Sequence, residues 1–337
     1  MERSLSRPLA DVVVPIHGGW DYVQACLASL GRQSVNVNVI VVDDDSPDDS
    51  ARKVEEHFPE VQLLRSGENV GFARACNLGI SAGSAPIVVL VNSDVVADER
   101  LIQELIGAFD TDAVGSATAV LTDRHGRVDA AGVTIDPTLA GFVRYQGSAV
   151  WSPSSPEVGC VYGAAAAYRR DALDSVGGGF DENLFMYGEE LELGLRLLSG
   201  GWEVRLVERA RAVHTGGGTV GKGSSRQRYL AGFGRGYILR VYGVLKTRFA
   251  LRALLVEIIS VTARLLASRD LASLRGRIHG WRAAKTVPRR TPPLVGIDYR
   301  IGLAESIKAR MPSYWTRYAS KWTHLDRDPF EGLGGRS

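Results

Sequence analysis

The chain has 337 residues and 45% hydrophobic content, ordinary for a folded soluble protein and enough for one large α/β domain with an appendage or for two domains. Three widely spaced cysteines, Cys26, Cys76 and Cys160, form no paired ligand pattern, which argues against a disulfide or zinc framework and for a reducing compartment. The formal net charge of +2 hides an asymmetry: residues 222–337 hold 23 Lys or Arg against 7 Asp or Glu, a net of +16, and residues 1–221 hold the other 17 against 31, a net of −14. An acidic body with a basic tail points to an anionic partner surface, either nucleic acid or the inner face of a membrane; the bland alternative is a basic helical bundle that solvates itself.

In chain order, the amino terminus "MERSLSRPLADVVVPIHGG" lacks the long apolar core of a signal peptide, so secretion is not expected. The run "DVVVPI", the amphipathic "DYVQACLASLGRQ" and the β-rich "VNVNVIVVDDDS" read as strand, helix, strand, the signature of a mostly parallel sheet. The alternation continues through a helix in "DDSARKVEEHF", a strand in "VQLLRS", a helix in "FARACNLGISAG" and a strand in "APIVVLVNSD". Residues 110–160 read as strands with turns, followed by a loop, "YQGSAVWSPSSPEVGC", expected to cross the active face. "GCVYGAAAAYRRDAL" predicts a buried strand turning into a helix, and "TGGGTVGKGSS" a mobile glycine-rich loop. Beyond it, "RQRYLAGFGRGYILRVYG" and the run from Arg248 to Lys285 are helical; Arg252, Glu257 and Arg264 interrupt the second, which is expected to lie on a bilayer rather than span it. The last 45 or so residues carry no function that can be read.

In open α/β sheets ligands bind beyond the carboxyl ends of strands, and the chemistry-bearing residues fall there. Asp43, Asp44 and Asp45 end the second strand, where carboxylates accept hydrogen bonds from a ribose or a nucleobase imide; an N-cap before Pro47 would account for one of the three. Asn92, Ser93 and Asp94 end a strand apolar enough to be central, and Asp94 with Asn92 suits Mg²⁺ or Mn²⁺, although such an ending is also common turn chemistry. His214 ends a β-like run before glycines that allow close phosphate approach; a satisfied structural histidine is the competing reading. Glu189, Glu190 and Glu192 crowd the start of a leucine-rich helix. They suit the macrodipole, and Glu192 can pair with Arg196; packing can also hold one of them, partly desolvated, at a pocket mouth as a base. No P-loop and no nucleophile elbow is visible, and "GFGRGY" is a weak glycine match.

Taken in order, "VVVPIHGG", "VIVVDDDSPDDS", "ENVGFARACNLGI", "VVLVNSDVV", "GAAAAYRRDALDSVGGGFDENLFMYGEELELGLRLLSGGWEV" and "RAVHTGGG" resemble the family 2 inverting glycosyltransferases of GT-A fold, in particular the bacterial rhamnosyltransferase-like and galactofuranosyltransferase-like branch. The resemblance spans residues 9–245 and leaves most of the basic tail outside. It implies an α/β GT-A domain over residues 1–221, with a nucleotide-sugar half at 9–100 and an acceptor half at 101–221, and a basic, mainly helical region at 222–337. By the same resemblance Asp43, Asp44 and Asp45 bind base and ribose beside Pro15 and His17, Arg74 and Asn77 line the diphosphate side, Asn92 (the first position of the DxD-type motif) and Ser93 join in nucleotide-sugar binding, and Asp94, the motif's last position, and His214 meet the metal, Mg²⁺ or Mn²⁺. Glu190 stands where the family places an aspartate general base, and Glu192 where it places a second aspartate; Glu189 is a substitute base.

The implied partners are a nucleotide-sugar donor, dTDP-rhamnose or a UDP-sugar, and a glycan or polyprenyl-linked acceptor, with no nucleic acid. The implied place is the cytoplasm, peripherally at the inner membrane face. A soluble acceptor would leave the tail to form a homo-oligomer interface. The longer glutamate keeps a second reading open, a sugar-nucleotide or carbohydrate binder with weak or no catalysis. A nucleotidyltransferase is disfavoured, because "VPIHGGWDY" lacks an activating Lys or Arg.

Overall fold

The computed structural model describes residues 8–216, 223–311 and 313–323. Its first part alternates as the hydrophobic pattern predicts: β1 (Ala10–Ile16), α1 (Trp20–Leu30), β2 (Val37–Asp43), α2 (Ser50–His57), β3 (Gln62–Arg65), α3 (Phe72–Ala82) and β4 (Ile87–Val91). β4 is buried along its whole length because helices cover both faces of the sheet, which is why it reads as an unbroken apolar run rather than an alternating one. α1 buries Val23, Cys26, Leu27 and Leu30, the helical spacing of one apolar stripe.

After β5 (Val95–Ala97) and α4 (Leu101–Gly107) come β6 (Val114–Thr122), β7 (Val128–Ala131), β8 (Val133–Ile135) and β9 (Gly141–Val143). They are followed by β10 (Ala165–Arg169), α5 (Arg170–Ser175), α6 (Glu189–Ser199) and β11 (Glu203–His214). Among the described residues, nine strands form one sheet in the order β3-β2-β1-β4-β10-β6-β11-β5, with β7 on β6. β1 to β4 are parallel. β10 runs against β4 and against β6, and β11 runs with β6, so β6 and β11 point the same way as β1, β2 and β4. The expected parallel arrangement thus holds for the strands that carry site residues at their carboxyl ends, while β5, β7 and β10 run against their neighbours. Asp43, Asn92, His214 and the entry to β10 consequently share one edge of the sheet.

The basic tail folds as α7 (Ser225–Val241), α8 (Ala250–Ser268), α9 (Ala272–Ala283), α10 (Leu303–Lys308) and α11 (Tyr314–Thr323). It is continuous with the body: Tyr237, Ile238, Ala253, Ala284 and Ile297 share a core with Ile135, Leu184 and Leu195. The glycines of "GFGRGY" serve this packing. A Cβ at Gly236 would lie 2.1 Å from the Arg277 carbonyl oxygen, and one at Gly280 would lie 2.0 Å from that of Phe233, so α7 and α9 touch backbone to backbone. The final aromatic residues Tyr314, Trp315 and Trp322 pack with Val120, Val128 and Tyr145 against β6 and β7. The loop after residue 145 is tied down by buried Arg144, which donates to the carbonyls of Ala131 and Ser152. Residues 217–222 of the glycine-rich segment lie outside the described residues.

Candidate active site

On the nucleotide side, Gly18 and Gly19 have φ of +77° and +79°, a conformation open to glycine at little cost, and turn the chain from β1 into α1. Their N–H groups donate to Ser46 Oγ (2.7 Å) and Asp48 Oδ2 (2.9 Å), which draws the acidic turn against the start of α1. Asp43 is buried; its Oδ1 accepts from the Ser46 N–H, and its Oδ2 has no hydrogen bond among the described residues. Asp44 accepts from the N–H groups of Val70 (2.7 Å) and Gly71 (3.0 Å), so its carboxylate shapes the turn into α3, and its carbonyl meets His17 Nδ1. Asp45 is exposed with φ of +58°, and Pro15, opposite Val42 in the β1–β2 pair, is half-buried.

The structure gives two predicted residues other work. Asn77 was expected to line the diphosphate, but its amide is used in both directions by the Phe180 backbone, donating to the carbonyl (2.9 Å) and accepting from the N–H (2.8 Å), which pins α3 to the segment before α6. Glu192 was expected to support catalysis, but its carboxylate is fully buried on the tail side of α6. There it meets Arg196 Nε (2.9 Å), the Tyr242 hydroxyl (2.9 Å) and Arg290. Arg74 stays half-exposed and pairs with Glu182 (3.3 Å).

At the far end of the same edge, His214 Nε2 lies 3.2 Å from Asp94 Oδ1, and Nδ1 lies 2.7 Å from Asp129 Oδ2. Burial alone would lower the histidine pKa; the hydrogen bonds and charges of Asp129 and Asp94 outweigh it and raise the value to about 9. Asp129 was missed by sequence reading, since nothing in "RVDAAG" announces a partner 85 residues away. By engaging Nδ1, Asp129 orients the ring with Nε2 toward Asp94, the arrangement of a ligating histidine held by a carboxylate. Asn92 Oδ1 is buried without a hydrogen-bond partner, and Ser93 between it and Asp94 is half-buried. This oxygen and nitrogen set fits a hard divalent cation. No cluster of three or more His, Cys, Asp or Glu side chains able to hold a metal occurs among the described residues, so a cation here would draw its remaining ligands from substrate.

Between these ends sits α6. Gly188, with φ of +109°, starts the helix, and the three glutamates follow in its first turn. The Glu190 carboxylate lies over Gly163, where an added Cβ would come within 2.2 Å of Oε1, and it accepts a hydrogen bond from the Gly163 N–H. Gly163 is next to Ala164, whose carbonyl accepts from the Asn92 N–H (3.0 Å), so Glu190 is docked beside the end of β4. Burial raises the Glu190 pKa to about 7, against the lowering effect of its two backbone hydrogen bonds. Glu189 is buried deeper, its Oε2 has no partner, and burial followed by the charge of Glu190 pushes its pKa well above the carboxylate range. Burial thus raises the pKa of both adjacent acids, Glu189 further than Glu190. Tyr162, also unforeseen, stands at their border with its ring centroid 6.1 Å from that of His214.

The α/β sheet gathers along one edge the carboxylates of Asp43 and Asp94, the His214 imidazole and the buried Glu190 carboxylate. Residues 11–177 match Glycosyl transferase family 2, and the chain belongs to that family as a glycosyltransferase with rhamnosyltransferase-like relatives. The matched segment stops short of Glu190 and His214. The N-acetylglucosaminyl-diphospho-decaprenol L-rhamnosyltransferase of Mycobacterium tuberculosis is 28% identical over 230 residues, 60% of this chain and 75% of that protein. An N-acetylglucosaminyltransferase of Rhizobium meliloti is 26% identical over 60% of this chain and 50% of its own length. Among solved structures, the mannosyltransferase PcManGT from Pyrobaculum calidifontis, in complex with GDP-Man and Mn²⁺, superposes with a TM-score of 0.53 at 18% identity, covering 96% of this chain and 89% of that one. GalNAc-T7 with UDP, GalNAc and Mn²⁺ gives 0.58 at 14% identity over 84% and 57%. These two likenesses establish the GT-A fold.

Proposed function

We propose that the protein is an inverting glycosyltransferase that moves a sugar from a nucleotide-diphosphate donor, dTDP-rhamnose or a UDP-sugar, to a hydroxyl of a lipid-linked glycan in cell-surface polysaccharide synthesis. The observation that carries this reading is the Glu190 carboxylate, with a pKa of about 7, fixed over Gly163 beside the strand end that leads to Asp94. Glu190 takes the proton of the acceptor hydroxyl, that oxygen attacks the anomeric carbon from the face opposite the nucleoside diphosphate, and the diphosphate leaves with inversion. Asp43 Oδ2 accepts from the nucleoside, while Asp94 and His214, with Asn92, would hold Mg²⁺ or Mn²⁺. When bound, the cation neutralises diphosphate charge. The lack of a side chain at Gly163 gives the longer glutamate its room, which favours a working base over an inactive binder.

The acceptor class rests on the relative from M. tuberculosis, whose name specifies a diphospho-decaprenol acceptor, and on the surface of α8. No helix among the described residues is long and apolar enough to cross a membrane. α8 nevertheless exposes Leu251, Leu254, Leu255, Ile258, Ile259 and Leu266 along one stripe, with exposed Lys246, Arg248 and Arg269 near its two ends. Apolar residues on one face with cations around it suit an anionic bilayer. The test is transfer by purified protein from candidate donors to a diphosphate-linked glycolipid, with Mn²⁺ and after chelation, for wild type and Glu190→Gln. The substitution is expected to lower kcat by about a hundredfold or more. Undiminished transfer by Glu190→Gln would remove the residue from this role.

A further inference from the structure

A cavity of about 370 Å³ lies between α6, the β9 strand and the tail helices. Four guanidinium groups border it, Arg235, Arg264, Arg277 and Arg310, against the single carboxylate of Glu257. Glu257 takes Arg235 Nε (2.6 Å) and Arg277 Nε (2.7 Å), and Arg310 reaches it at 3.9 Å. Arg264, on the cavity-facing side of α8, makes no ion pair among the described residues. Side chains of Arg235, Arg277 and Arg310 are each less than one-fifth exposed, so three cations are crowded where water screens them poorly. Burial, and then the charge of Arg235, brings the Arg310 pKa down to about 10, against the raising charges of Asp136 and Glu257. The inner wall is Tyr187 and Gly188, the two residues before Glu189 and Glu190, and Tyr187 is close enough to feel the charge of both glutamates. The outer wall is α8, whose opposite face carries the exposed leucine and isoleucine stripe.

From this geometry we infer that the arginine-lined cavity binds the diphosphate of the acceptor, with the lipid chain leaving along α8 and the sugar reaching past Tyr187 to Glu190. The inference builds on the lipid-linked acceptor proposed above. Guanidinium groups suit it because their planar donors pair two at a time with phosphate oxygens. A bound diphosphate would also offset the excess of positive charge around Glu257.

Inorganic pyrophosphate, titrated calorimetrically into the full chain with EDTA present to silence the Asp94–His214 cation site, is the probe. Wild type is expected to bind it, and Arg264→Gln with Arg310→Gln to bind about tenfold more weakly or worse. Arg264→Gln alone, at an exposed position without an ion pair, guards against a folding artefact, and a donor-induced thermal shift equal to wild type certifies both variants. With a diphosphate-linked acceptor the same variants are expected to raise acceptor KM about tenfold while donor KM stays level. No pyrophosphate binding by wild type, or equal affinity in wild type and the double variant, overturns the inference. Failure of the glycosyltransferase reading is distinguishable, since it would leave pyrophosphate binding arginine-dependent while no acceptor is glycosylated.

Discussion

As the proposed base, Glu190 brings two demands together in one carboxylate. A base must be ionised to accept a proton, yet burial holds this group protonated up to about pH 7. Its ordinary value of 4.5 applies to the unfolded chain, so between about 4.5 and 7 the unfolded state loses this proton first and stability falls as pH rises. Glu190→Gln is therefore expected to raise Tm above wild type at pH 8 and to leave it nearly level at pH 4.5, a comparison that calorimetry makes directly. Wild-type kcat should climb as pH passes through about 7, and the variant should lose that step. Gly163→Ala places a methyl where Oε1 now lies and should cost between about tenfold and a hundredfold in kcat, with donor KM unchanged. Glu190, Asp94 and His214 stand out in the sequence because each ends or begins a periodic segment. Asp129, Tyr162 and the tie of Asn77 to the Phe180 backbone were not legible, because a side chain's partner across the sheet leaves no trace in local spacing.

At the scale of elements, α6 is held from two sides. Its first turn faces the catalytic edge, and its buried Glu192 faces Arg290, which also pairs with Asp181 (2.8 Å). The Tyr237 hydroxyl donates to the same Asp181 oxygen (2.7 Å). Arg290→Ala should destabilise the fold by about 2–3 kcal/mol, measured by urea denaturation, because two buried carboxylates lose a shared cation. α7 joins this support through glycine: a Cβ at Gly234 would meet the Tyr187 carbonyl oxygen at 2.2 Å. Gly280→Val, which forces α9 off α7, is expected to cost on the order of 1–3 kcal/mol and to lower kcat as Tyr187 and Gly188 shift with α7. The alternation from β1 to β4 was legible because strand and helix differ in hydrophobic period. The glycines of α7 were legible as a pattern but not in purpose, since close helix contact and phosphate approach use the same residue.

Across the whole molecule, the division into an acidic body and a basic tail was plain from composition, and the tail's folding into the body's core was not. Charge counts say where cations are, while the cavity exists only because α7, α8 and α9 close around it. The apolar stripe on α8 belongs to this scale too. Ile258, 62% exposed, and Leu266, 75% exposed, contribute little to the core, so Ile258→Glu with Leu266→Glu should fold normally. That variant is expected to lose co-sedimentation with anionic vesicles while its donor-binding thermal shift stays at the wild-type value. Binding that persists would remove α8 from the docking face.

The reach of Arg290, 98 residues along the chain from Glu192, limits how such an enzyme can be recombined. A chimera that joins residues 1–221 to a foreign carboxy-terminal half inherits buried acids deprived of one counter-ion. Swapping specificity by exchanging halves is therefore confined to grafts that return a positive group to the same spot.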